Sequence, residues 1–179
     1  MPDPKITRLN NIMESALPHL LKNLRAQHAL QLRMEVCIKS KRQAISESRI
    51  DSVAGICEEE NDLLQQLGDL EKARLVMVGS LTQAIEPDAQ EPLSIKSLAG
   101  YLNESQAREL LDMREILLEQ VKKVRQESSV VRDAMESLNH HMIGILQTVR
   151  SALSGAGVYE QKGRVAMGAQ LEFSVDVRS

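Results

Sequence analysis

From residue 107 to residue 152 the chain repeats apolar side chains in alternating steps of three and four. Positions 107, 110, 114, 117, 121, 124, 128, 131, 135, 138, 142, 145, 149 and 152 are all apolar except Arg114 and Ser128. A period of 3.5 residues held this long draws one seam along one helix, the pattern of coiled-coil packing. No proline interrupts it. Asn103 with Gln106 three residues later reads as a capping box at its start, and Gly155 as its stop. At 1.5 Å per residue the ~50 residues from 103 to 153 span roughly 75 Å, far more than the diameter of a compact domain. Such a helix needs other long helices beside it to cover its seam.

Two more helices answer that need. Positions 13, 17, 20, 24, 27, 31, 34, 38, 41 and 45 keep the same spacing, with Gln27, Gln31 and Lys41 as exceptions. Asp3-Pro4 suits the start of this helix, and Pro18 marks a kink or the beginning of its straight part. Positions 53, 56, 60, 63, 67, 70, 74, 77, 81 and 84 form the next seam, broken only at Glu60 and Arg74. The segment Ser46–Asp51 reads as a tight turn with Asp51 capping the second helix, and Pro87 and Pro92 end that helix. The expected fold is therefore all-α: an elongated antiparallel coiled-coil hairpin with a long third helix, a three-helix bundle. Its helices run over about 4–46, 51–85 and 103–153, within a helical domain at 1–153. The loop at 86–102 has room for a short helical turn at Ser94–Ala99, and a tail follows at 154–179.

Composition agrees with helix-on-helix packing. Among 179 residues only Tyr101, Tyr159 and Phe173 are aromatic, and none falls on a long helix. Leu, Ile, Val, Met and Ala must then supply the core. The shortage of rings also weakens any reading as a base-stacking nucleic-acid binder, and no run of Lys/Arg marks a nucleic-acid footprint. Residues 1–47 carry eight basic and four acidic side chains, whereas 48–86 carry three and eight. That asymmetry suits two helices packed on each other, and equally two solvated faces. Cys37 and Cys57 stand apart from any CxxC or Cys/His cluster, which fits buried thiols in a reducing cytosol. The N-terminus lacks an apolar signal region. An uncharged stretch such as Leu75–Ile85 covers eleven residues, short of the ~18 that a membrane span needs. The expectation is a cytoplasmic protein with no membrane insertion.

The tail changes period. Val165, Met167, Ala169, Leu171, Phe173, Val175 and Val177 place an apolar residue at every second position, which makes the segment strand-competent. With no second strand in the chain to pair with, it is either flexible until bound or paired within an oligomer. Leu171 and Phe173 are its candidate partner contacts.

No catalytic constellation is present. Phosphate-cradling, dinucleotide, zinc-protease and nucleophile-elbow motifs are all missing. None of the four histidines has a glutamate three residues before it, so the di-metal signature of helical bundles is absent. His140 and His141 are adjacent, and a metal pair on a helix needs i,i+4 spacing. No enzyme activity, cofactor or metal is expected. One motif tempts: His19-Leu20-Leu21-Lys22 resembles the His-x-Leu-Lys core of histidine phosphotransfer domains. Asn23 and Leu24 follow where that family keeps a small residue, so the phosphotransfer module stands behind the other readings.

The order of helices and tail resembles the FlgN family of flagellar type III export chaperones across nearly the whole chain. The likeness rests on Glu59-Glu60-Asn61-Asp62-Leu63-Leu64-Gln65-Gln66-Leu67, then Leu70-Glu71-Lys72-Ala73-Arg74, early in the second helix. It rests also on Leu138-Asn139-His140-His141-Met142 and Ala152-Leu153-Ser154-Gly155 at the end of the last, and on Tyr159-Glu160-Gln161-Lys162-Gly163 after it. The resemblance implies a cytosolic chaperone for hook–filament junction (hook-associated) proteins. It would bind the terminal helical segment of its client, prevent premature assembly and deliver it to the export gate, without hydrolysing ATP.

The residues allow that mechanism. Beside the seam positions Met135, Leu138, Met142, Ile145 and Val149 runs a second row, Ile143, Leu146 and Leu153. Residues three and four apart share a face, so the combined stripe is wide enough to meet the hairpin and also take an amphipathic client helix. Alternatively the whole stripe is intramolecular or dimeric core, and the chain is then a structural or signalling coiled-coil protein whose long seam makes a homodimer or heteromer. Tyr159 and Gly163 are the candidate contacts to the export gate by resemblance. A lone tyrosine there can also simply cover the helix end.

Overall fold

The computed structural model describes the backbone from Pro4 to Ala156 and side chains from residue 12 to residue 154. The described residues are all-α: α1 (Pro4–Ser46), α2 (Ile50–Ile85), the short α3 (Ile95–Ala99) and α4 (Glu104–Ala156). The chain divides into two units, Met1–Ala134 and Met135–Ser179, with the division inside α4. The alternating segment 165–177 lies outside the described residues, as do Tyr159, Gly163, Leu171 and Phe173.

In the first unit the three seams find each other. Antiparallel pairing of α1 and α2 follows from side-chain contacts that run in opposite directions: Asn23 reaches the carbonyl of Leu70 at 3.0 Å, and Cys37 that of Ile56 at 3.5 Å. Between α1 and α4 the numbering rises together. Arg25 meets Glu109, Glu35 meets Gln120 and Arg42 meets Glu127, at sequence separations of 84, 85 and 85. So α4 runs parallel to α1 in a fixed register. The α1 cations are accordingly shared between two partners. Lys41 pairs with Glu60 of α2, while Arg25 and Arg42 pair with α4.

Two apolar cores result. Leu17, Leu20, Leu21 and Leu24 of α1 pack with Val78 and Leu81 of α2, Leu98 of α3 and Leu110 and Met113 of α4. Further along, Met34, Cys37, Ile38, Leu63, Val124 and Val131 form the second. Each Leu or Ile taken fully from water contributes about 1.5–3 kcal/mol before ordering costs. A polar layer separates the cores at the seam exceptions Gln27 and Arg74. Gln27 donates to Asn23 at 2.9 Å and to Glu71 at 3.4 Å, and Arg74 grips Glu71 with two bonds of 2.7 and 2.6 Å. Asn23 and Gln27 are buried, and slipping the α1–α2 register would strand them without partners.

The turns differ in detail from the sequence expectation. Asp51 does not cap α2. Ser48 takes a left-handed backbone (φ 55°), and the Arg49 N–H closes on Ala44 O at 2.8 Å. This finishes α1 so tightly that α2 starts at Ile50, with Asp51 inside the first turn, where a carboxylate suits the helix dipole. Pro18 lies within a continuous α1. Gly155 is inside α4 and does not end it. Asn103 caps α4, its Oδ1 accepting from the Gln106 N–H at 2.9 Å, which is one half of the expected capping box; the Gln106 side chain does not return a bond to the Asn103 N–H. In the preceding loop Ser94 caps α3 by accepting from Ser97 N–H at 3.0 Å, and Leu93 N–H donates to Thr82 Oγ1 at 2.8 Å. Tyr101, in the turn between α3 and α4, donates to Glu86 at 2.8 Å. The loop is thereby tied to the end of α2.

Candidate functional site

The α4 seam is covered only up to Val131. At the register of the α1–α4 pairs, Ser46, the last residue of α1, lies level with Val131, the last buried side chain of α4. From Met135 to Ser154 every side chain is exposed. Met135, Leu138, Met142, Ile143, Ile145, Leu146, Val149 and Leu153 are all among them, with Leu146 at 65% and Leu153 at 71% exposure.

These eight residues share a surface. At 100° per residue, seven of them fall within an arc of about 100°, and Ile143 lies about 60° to one side. Gly144 interrupts the opposite flank, where a shallow depression runs past His141, Ile145, Thr148 and Val149. Glu136 and Arg150 are the only charges from 135 to 154. Arg150 falls between Leu146 and Ile143 on this helical projection and Glu136 just beyond Ile143, so both charges sit on that one flank and the arc of seven is free of charge. Contiguous apolar surface of this kind is of the sort on which other chains pack. Met135 and Met142 add side chains that adapt to a partner's shape. The structure thus brings together all eight residues of the expected stripe.

The first unit holds a second concavity that the sequence reading did not pick out. It is a cleft of about 450 Å³ between α2 and α4. Leu64, Leu67, Val121 and Val124 line it above Met34, and Arg125, Ser128 and Arg132 border it on α4. The signal was in the sequence: Ser128 and Glu60, two exceptions in otherwise apolar seams, both line this cleft.

Near the cleft, Glu35 of α1 is buried among donors. It accepts from Lys39 at 2.5 Å, Gln120 at 2.8 Å and Lys123 at 3.0 Å. Those bonds, Lys39's foremost, hold its pKa down to about 2 against the opposing effect of burial. This cluster joins α1 to α4 and exposes no free base. Burial pushes the Cys37 thiol up from its usual value, which keeps it in the unreactive protonated form. His19 and Lys22 are exposed on α1, but the following Asn23 is turned inward to hold α2. Among the described residues no group of His, Cys, Asp and Glu could hold a metal ion. No described helix is long and apolar enough to cross a membrane.

Comparison with known proteins sets this geometry in context. A family model described as FlgN protein matches residues 13–166. The chain belongs to the FlgN family. FlgN proteins are flagellar export chaperones, and a helical scaffold carrying exposed apolar helix is in keeping with the family. The match runs over α1, α2, α3 and α4, so both cores, the cleft and the apolar stripe all fall within the FlgN region. No curated protein and no solved structure matches the chain.

Proposed function

We propose that this FlgN-family chain works in the cytosol as the export chaperone of hook–filament junction (hook-associated) proteins, with the α4 stripe as the client seat. The observation that carries the reading is the run of eight exposed apolar side chains between Met135 and Leu153. A terminal helical segment of the client lays its own apolar face along that stripe, in the helix-in-groove mode. While seated, the segment cannot join the growing filament, and premature assembly is prevented. Tyr159 and Gly163 then contact the export gate, and Leu171 and Phe173 add partner contacts. Binding and release need no covalent chemistry, so no enzyme activity is assigned to the chain.

Ile143→Asp and Leu146→Asp test the client seat. Both side chains are exposed, so a charge there leaves helicity and unfolding midpoint unchanged while abolishing capture of a junction subunit in titration calorimetry. Retained capture by both variants, or an unfolded variant in circular dichroism, would remove the stripe from the mechanism. Tyr159→Ala is expected to keep client affinity and weaken docking to the gate. A second reading draws on the same stripe continuing the 4,3 spacing of α4: two copies pair through it as a coiled coil. Sedimentation separates the two, since that reading requires a dimer that Leu146→Asp dissociates.

A further inference from the structure

The cleft between α2 and α4 has features that the packing of the first unit does not use. Its floor is apolar, formed by Met34, Leu67, Val121 and Val124, and two of these belong to the second core. Leu64, at its α2 lip, is 55% exposed. Along the α4 lip stand Arg125 and Arg132, seven residues apart and therefore on one face. Both are exposed, and neither forms an ion pair among the described residues. The acid that lines the cleft, Glu60, is already neutralised by Lys41. The cleft is thus an apolar trough with net positive charge along one side. Gln31, also lining it, has a buried Oε1 with no hydrogen-bond partner.

We propose that this cleft is a second docking groove, which takes an amphipathic helix of another protein carrying carboxylates along one edge. Charge selects the occupant. Arg125 and Arg132 are two helical turns apart, about 10 Å along the axis. A helix lying along α4 presents carboxylates at i and i+7 with the same spacing, so each arginine meets one in a charge-assisted bond. Its apolar residues at i+1, i+4 and i+8 lie together on one side of the acidic edge and fall over the trough. A cationic or neutral edge would leave both arginines facing unfavourable or indifferent groups, so the groove discriminates by sign. The assignment does not depend on what occupies the α4 stripe beyond Met135.

The test uses the full chain and two synthetic helix-forming peptides of about 18 residues, five turns. They share one leucine face and differ only in carrying Glu or Lys at edge positions seven apart. The Glu peptide is expected to bind at least tenfold tighter than the Lys peptide, with amide shifts centred on Leu64, Val121 and Ser128. The R125E/R132E variant should reverse the preference. R125A/R132A, which brings no new carboxylate near Glu60, should abolish it. Both arginines are exposed, so helicity should be retained in either variant. Equal binding of the two peptides overturns the proposal. So does a preference that survives R125A/R132A, an acidic peptide that fails to bind at millimolar concentration, or a footprint confined to Met142–Leu153.

Discussion

Glu35 shows how one buried charge can serve a helical bundle. Its carboxylate sits between α1 and α4 and receives Lys39, Gln120 and Lys123. The folded pKa of about 2 lies below the value near 4.3 expected in an unfolded chain. A depressed carboxylate contributes stability that is fully present above the unfolded pKa and is lost as pH falls through the folded one. The window therefore runs from about pH 4.3 down to about 2. Lys39 and Lys123 are about half exposed, so solvent screening limits the contribution to about 1–3 kcal/mol. Glu35→Gln should cost that much at pH 7 and almost nothing at pH 2. Urea unfolding at both values checks it, and parallel pH profiles for the two proteins would clear Glu35 of the role. At this scale the sequence was partly legible. Lys41 and Glu60 stand out as charges in apolar seams, and the structure pairs them. Glu35 lies outside any seam position, and only the arrival of α4 beside α1 makes it a buried residue.

Helix ends show where local sequence suffices and where it does not. Asn103 caps α4 through Gln106, a contact made within four residues and therefore readable without any tertiary information. Asn103→Ala should lower unfolding stability by about 1 kcal/mol, seen as a shift in urea midpoint at unchanged slope. An unshifted midpoint would mean that the loop, already held by Thr82 and Glu86, does the capping's work. The start of α2 escaped the same reasoning. Asp51 has a capping side chain, but the left-handed Ser48 brings the chain round two residues sooner than a cap at 51 requires. The Ser94–Ala99 turn is legible for the same reason as Asn103: its cap bond spans three residues.

For the molecule as a whole, the two cores and the polar layer all lie within Met1–Ala134. A chain ending at Ala134 should therefore unfold cooperatively with a midpoint within a few degrees of the full protein, since it loses no buried apolar residue. Calorimetry would show it, and a large drop would mean that the residues from Met135 onward stabilise the bundle. The same chain should fail to capture a junction subunit.

The spacing of apolar residues names the faces that gain from leaving water, because 3.5-residue periodicity is a local property of each helix. It marked all three seams, their lengths and the stripe from Met135 to Leu153. Which stretches of seam are actually covered is a property of pairs of helices. It depends on α4 lying parallel to α1 at a separation of about 85 residues, so that Ser46 and Val131 end together. Nothing in either helix alone encodes that register. It emerges from ion pairs and packed side chains contributed by both, and it makes the α4 seam core up to Val131, while the apolar side chains from Met135 to Leu153 are exposed.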